Sequence, residues 1–191
     1  MSANLPARRL EMAGRLITIV GPSGVGKDTL IEGALAELPN LTQIRRVITR
    51  PEEAGGEDYQ GVTEATFEAM SAAGEFAFEW KAHGLRYGIP VEIDAWLAAG
   101  QDLLFNGSRA TLPALRDTYP KLEIILITAP PELLAERLAS RGRESVAEIA
   151  ARLARRVDPV PEGARIVVNS GSVADGVAGL IAALSPEAES V

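Results

Sequence analysis

Cysteine is absent from the 191 residues. Its absence excludes a disulfide framework and a thiolate zinc site. Positive charge is also in short supply: the formal net charge is −7. That balance argues against general nucleic-acid binding, which needs a basic face, but leaves room for a small anionic substrate held by local cations. No apolar run approaches the length needed to cross a bilayer. The opening stretch, Met1 to Gly14, has two arginines and no apolar core segment, so it does not read as a secretory leader. It reads as a flexible tail, as does the polar end 185–191. The expected compartment is the cytoplasm. No internal repeat is visible.

The rest is an ordinary soluble composition, 47% hydrophobic and 24% charged, of a length that suits one domain with a core of useful size. The chemistry concentrates in Gly21-Pro22-Ser23-Gly24-Val25-Gly26-Lys27-Asp28-Thr29. The apolar run Leu16 to Val20 precedes it. Leu30, Ile31, Ala34, Leu35 and Leu38 follow at helical period. A strand–loop–helix corner of this kind is a phosphate-binding loop. Glycines let successive N–H groups curl around an anion, and the helix N-terminus adds unpaired donors and partial positive charge. Lys27 can reach the β- and γ-phosphates of a nucleotide. The usual Ser or Thr after the lysine is replaced by Asp28. Its carboxylate is either a Mg²⁺ ligand, directly or through water, or a first-turn residue of the helix. Thr29 can bond a phosphate in both cases.

The remaining chain alternates strands and helices. Leu16–Val20 does not alternate in polarity and is expected to be buried on both faces. The loop's helix should run to about Leu38. In Arg45 to Pro51, strand alternation puts Arg46, Ile48 and Arg50 on one face, a grip for an anion. Residues 51 to 95 break the rhythm and read as a small insertion. Within it, 52–60 reads as a loop, Thr63 caps a short helix ended by Gly74, and Phe76 to Trp80 forms a strand. His83 to Pro90 reads as a turn and edge segment bearing Arg86 and Tyr87. Strands follow at Gln101–Phe105, Leu122–Ile127 and Ile166–Val168. Asn106, Ser108 and Arg109 lie just past a strand's C-terminal end, where open α/β sheets bind ligands. A helix follows Pro130 and Pro131. Five arginines between Arg137 and Arg155 flank Gly142 and a capping box at Ser145–Glu148, which suggests a lid over phosphates at about 138–150. Ser172 and Asp175 cap the last helix.

These residues together resemble the guanylate kinase family over roughly 15–180. The resemblance rests on the loop itself, Thr49-Arg50-Pro51, Asp58-Tyr59, Phe78-Glu79-Trp80, Tyr87-Gly88, Arg137-Leu138, Arg141-Gly142, Arg152-Leu153 and Val168-Asn169. It implies an α/β fold: a P-loop-type parallel five-stranded sheet flanked by helices, with an acceptor-binding insertion (about 45–95) and a lid, in one domain spanning 15–184. It implies that Gly21, Ser23, Gly24, Val25, Gly26, Lys27, Asp28 and Thr29 hold ATP and Mg²⁺, with Asn169 near the adenine. Arg137, Arg141 and Arg152 would serve the transferring phosphoryl group, while Arg50, Tyr59 and Tyr87 would hold the acceptor's phosphate.

The departures narrow the resemblance. Glu53 stands where the family has a second arginine, Ile89 where it has a hydroxyl that reads guanine, and Asn106 where it has an acid. Arg46 replaces a small neutral residue. Base readers are lost and a cation is gained. Gly24 to Thr29, Arg45 to Pro51, Gly55 to Asp58, Ala82 to Pro90 and Asn106 to Arg109 are similar to the ribose 1,5-bisphosphate phosphokinases of phosphonate breakdown. That similarity implies phosphoryl transfer from ATP to the 1-phosphate of a phosphorylated sugar, with Arg46, Glu79, His83, Arg86, Asn106, Ser108 and Arg109 joining the acceptor site. The alternatives are a guanylate kinase acting on GMP, a small-sugar kinase, and a non-catalytic binding domain of the same fold. The last is opposed by Lys27 and the arginines. No nucleic-acid or membrane partner is expected, and the sequence does not give the oligomeric state.

Overall fold

The computed structural model describes residues 13–51, 57–139, 149 and 159–185. Leu16–Val20 forms β1, and all five residues are fully buried, as the lack of alternation requires. The loop leads into α1, Lys27–Glu37. Short strands β2 (Leu41–Gln43), β3 (Arg46–Ile48) and β4 (Tyr59–Gly61) follow. Next come α2 (Glu64–Ala72), β5 (Phe76–Ala82), β6 (Leu85–Pro90), α3 (Ile93–Ala98) and β7 (Asp102–Asn106). A 3₁₀ turn at Arg109–Thr111 enters α4, Leu112–Thr118. The chain continues with β8 (Glu123–Thr128), α5 (Pro131–Ala139), β9 (Arg165–Val168) and α6 (Val173–Leu184). A five-stranded sheet runs β2-β7-β1-β8-β9, with β2–β7 and β8–β9 pairing parallel. A second, four-stranded sheet runs β4-β3-β6-β5. Among the described residues, no helix is long and apolar enough to cross a membrane.

The chain divides into two compact units, Met1–Thr18 with Asn40–Glu123, and Ile19–Pro39 with Ile124–Val191. In the first, Val47, Phe67 and Phe76 form a core with Val62 and Met70 against it, and the two phenyl rings stack 4.6 Å apart. In the second, α1 contributes Leu30, Ile31 and Ala34 to the core, and α6 contributes Val177, Leu180 and Leu184. Local signals set the helix ends. The Thr63 hydroxyl accepts from Thr66 N–H to start α2, and Gly74 follows its end at φ 74°. A reciprocal capping box joins Ser172 and Asp175 at the start of α6. Hydrogen bonds from Ser172 hold the Asp175 carboxyl below its ordinary pKa. A depressed carboxyl contributes its stability above the unfolded value and loses it as pH falls through the folded one, so this cap weakens only in acid.

Three expectations need correction. Leu85–Pro90 is no edge: it pairs antiparallel with β3 on one side and β5 on the other. Its Gly and Pro read as edge signals, but Pro90 sits at the strand's last position, where a missing N–H disturbs least. The turn is only His83-Gly84, with φ of 52° and 76°, a two-residue hairpin of the primed kind. Tyr59–Gly61 is a strand, although 52–60 reads as a loop; three residues are too few for a period to show. Finally, β3 stops at Ile48, where the Arg50 N–H turns back to the Ile48 carbonyl at 2.8 Å. Alternation along β3 therefore does not extend to Arg50.

Gly88, in the middle of β6, is required by packing. A Cβ there would lie 2.5 Å from the Phe76 ring. Gly88→Ala should destabilise the chain by about 1–3 kcal/mol through overpacking, read as a lower urea midpoint at unchanged slope. An unchanged midpoint would show that Phe76 can move aside.

Candidate functional site

The phosphate-binding loop lies in the second unit. Gly26 caps α1 in the left-handed region at φ 92°, a conformation that suits only glycine. Lys27 folds back so that its Nζ donates to the carbonyls of Gly21 at 3.0 Å and Pro22 at 3.1 Å. A cation over the loop's own carbonyls is positioned for an anion that the loop's N–H groups would cradle. The Val25 carbonyl accepts from Asn169 Nδ2 at 2.8 Å and from Arg137 Nη1 at 3.3 Å. Lys27, Arg137 and Asn169, far apart in sequence, thus meet around one loop. Ser23, Asp28 and Thr29 are exposed, the last two on the first turn of α1. Arg141, Arg152 and most of the expected lid lie outside the described residues. Among the described residues, no three of His, Asp or Glu are grouped to hold a metal.

The expected acceptor residues lie in the first unit, with Arg46, Tyr59, Glu79, Arg86 and Tyr87 on the four-stranded sheet. Arg46 is only 6% exposed. Its guanidinium carbon lies 5.2 Å from the Tyr87 ring centroid and 5.6 Å from that of Trp80. Those rings are cross-strand partners and stack 5.1 Å apart at 8°. Arg46 Nη2 pairs with the Glu57 carboxylate, and both side chains are nearly buried. Among the described residues, Arg46 Nε and Trp80 Nε1 are buried donors with no partner. A buried guanidinium edge left open is costly, and an acceptor atom there would relieve the cost.

Arg50 makes a separate group: its Nε donates to the Tyr59 hydroxyl at 3.0 Å, its guanidinium carbon lies 4.3 Å from the Tyr59 ring centroid, and that hydroxyl donates to the Pro51 carbonyl. Arg86 lies over Phe67 at 4.5 Å and pairs with Glu64 at 3.4 Å and with Glu79 at 3.5 Å. Its backbone N–H is held by Thr49 Oγ1 at 2.9 Å. His83 is exposed at the hairpin tip, separated from the Trp80–Tyr87 pair of the Arg46 cluster by two residues of strand on each side of the turn. Ile89 is fully buried opposite Phe78, an aliphatic side chain with no donor for a base.

Asn106 ends β7, and Ser108 and Arg109 follow it into the 3₁₀ turn, past the strand's C-terminal end as expected. Ser108 serves the turn itself: its carbonyl accepts from the Thr111 hydroxyl at 2.8 Å. Glu57 and Trp80 are the members of the Arg46 cluster to which sequence reasoning gave no role. Glu57 sits in an acidic, glycine-rich stretch with no periodicity, and nothing in that stretch names its partner.

Comparison with known proteins identifies the family. A family model described as guanylate kinase matches residues 13–184. A curated relative from Ruegeria sp. (strain TM1040), named ribose 1,5-bisphosphate phosphokinase PhnN, is 48% identical over 177 residues, 91% of this chain and 93% of the relative. One of the same name from Pseudomonas fluorescens (strain SBW25) is 48% identical over 182 residues, 91% of this chain and 96% of the relative. Among solved structures, a guanylate kinase from Anaplasma phagocytophilum superposes with a TM-score of 0.63 at 18% identity, covering 91% of this chain and 85% of that one, which supports the fold alone. Like the relatives it matches along nearly their whole length, the chain belongs to the guanylate kinase family and, within it, to the ribose 1,5-bisphosphate phosphokinases.

Proposed function

We propose that this chain transfers the γ-phosphoryl group of ATP to the 1-phosphate of ribose 1,5-bisphosphate, giving 5-phosphoribosyl 1-diphosphate and ADP. The family supports the reaction. The observation that carries the choice of acceptor is Arg46: a buried guanidinium with one edge open, in a chain whose Ile89 offers nothing to a purine. A substrate with two phosphates and no base suits that pairing.

The nucleophile is a phosphate oxygen, already ionised at neutral pH, so no general base is needed. Rate comes from positioning and charge stabilisation. The N–H groups of Gly21, Ser23, Gly24, Val25 and Gly26 hold the triphosphate, Thr29 adds a hydroxyl, and Lys27 leaves the loop carbonyls for the β- and γ-oxygens. Arg137, joined by Arg141 and Arg152, stabilises the group in flight. Mg²⁺ is commonly held by one or two carboxylates with substrate phosphates and water, so a single carboxylate on the first turn of α1 fits it; Asp28 would hold the ion, which neutralises phosphate charge. Arg50, Tyr59, Tyr87 and Arg86 take the acceptor phosphates with Arg46. Glu79 and Asn106 with Ser108 and Arg109 serve sugar hydroxyls and phosphate, and His83 would have to approach with its hairpin. ATP as donor puts the reaction in the cytoplasm.

The direct test is a phosphoryl-transfer assay with ATP against ribose 1,5-bisphosphate and GMP side by side. Faster turnover of GMP would overturn the assignment. Lys27→Ala should lower the transfer rate about a hundredfold or more while leaving the melting temperature unchanged. Near-normal turnover would remove the loop from the mechanism. Arg46→Ala would strand Glu57, so Arg46→Lys is the better probe: it keeps a charge for Glu57 and loses the open Nε edge. It should cost about ten- to a hundredfold in kcat/KM for the sugar bisphosphate, with KM for ATP unchanged. Wild-type acceptor kinetics would exclude Arg46 from phosphate recognition.

A further inference from the structure

We infer that Asn169 is a positioning residue for the phosphate-binding loop, acting through the Val25 peptide group, and that this role does not depend on the nucleotide base. Asn169 follows β9 and is 5% exposed. Its backbone N–H donates to the Thr128 carbonyl at the end of β8, 2.7 Å away, which ties it to the sheet. Its Nδ2 donates to the Val25 carbonyl at 2.8 Å, and Arg137 Nη1 donates to the same oxygen at 3.3 Å.

The amide is seated between two glycines. A Cβ on Gly26 would come within 2.8 Å of Nδ2, and a Cβ on Gly176 within 2.7 Å of Oδ1. Neither contact leaves room for a side chain. The local backbone is therefore shaped around this amide.

A trans peptide is planar, with C=O and N–H pointing in opposite directions. The bond that joins Val25 to Gly26 carries the Val25 carbonyl and the Gly26 N–H. Once Asn169 and Arg137 hold the carbonyl, the Gly26 N–H must point away from them, at the mouth of α1. Two donors on the carbonyl, one of them charged, also polarise the peptide and strengthen that N–H as a donor. Asn169 thus fixes and sharpens one donor of the anion cradle without touching the anion.

This rests on the reading of the loop as the site of the ATP phosphates. The experiment uses the full chain and inorganic tripolyphosphate, which has no base, beside ATP and GTP. Tripolyphosphate binding is measured by calorimetry and transfer by steady-state kinetics. Asn169→Asp keeps the shape but sets carboxylate lone pairs against the Val25 oxygen; Asn169→Ala only removes the donor. Affinity for tripolyphosphate and kcat/KM for both nucleotides should fall together, about tenfold or more in Asn169→Asp, with Asn169→Ala milder. A residue needed only for packing gives the reverse order, since the isostere is then the gentler change. Should Asn169→Asp fail to fold, Asn169→Ala alone carries the comparison across the three ligands. A loss confined to ATP makes Asn169 a base reader and overturns the inference, as does no loss at all. A wild-type chain that binds no tripolyphosphate would instead overturn the phosphate-loop reading, and this inference with it.

Discussion

A helix that begins with unpaired N–H groups must give them partners, and here that need is left open on purpose. The first turn of α1 has no side-chain cap: Gly26 stands at the cap position in left-handed backbone, where Ser or Asp would ordinarily close the end. Everything described around the loop follows from keeping those donors available and correctly aimed. Lys27 lies back on the loop carbonyls, and Asn169 and Arg137 draw the Val25 carbonyl away. The fully buried β1 supplies the rigid lead-in. By contrast, α2 and α6, which carry no such duty, are closed by Thr63 and by the Ser172–Asp175 box.

The residues proposed for the acceptor pose a different problem, how to hold cations that are partly or fully withdrawn from water. Three of the arginines there lie over aromatic rings: Arg46 over Tyr87 and Trp80, Arg50 over Tyr59, Arg86 over Phe67. The ring faces offset part of the desolvation cost without using up hydrogen-bond donors. Carboxylates complete the balance at Arg46 and Arg86. Aromatic residues make up only 5% of the chain, yet several of them are spent on this one task.

Legibility in the sequence tracked length and locality. The loop motif, the buried strands, the caps at Thr63 and Ser172 and the end of α2 at Gly74 depend on near neighbours, and all could be read. The five-stranded sheet followed from the alternation of strands and helices together with the family resemblance. What could not be read was non-local or too short: β2 and β4 have three residues each, the early end of β3 left no signal, and the interior place of β6 depends on which strands flank it. At the site, Lys27 and Arg46 announced themselves by type and position. The pairing of Glu57 with Arg46 and of Asn169 with Val25 spans 11 and 144 residues and leaves no local trace.

The buried carboxylate of Glu57 changes how an anion meets this surface. A bare arginine projects its field over roughly a Debye length, near 8–10 Å at physiological salt, and draws phosphate in from solution. Arg46 with Glu57 beside it is closer to a dipole, whose field dies away within a few ångströms. Such a pair contributes little to the approach of an anion and acts on what has already arrived. In the proposed acceptor role, discrimination at Arg46 would thus be a matter of residence, expressed in how fast a wrong acceptor leaves rather than in how fast the right one comes.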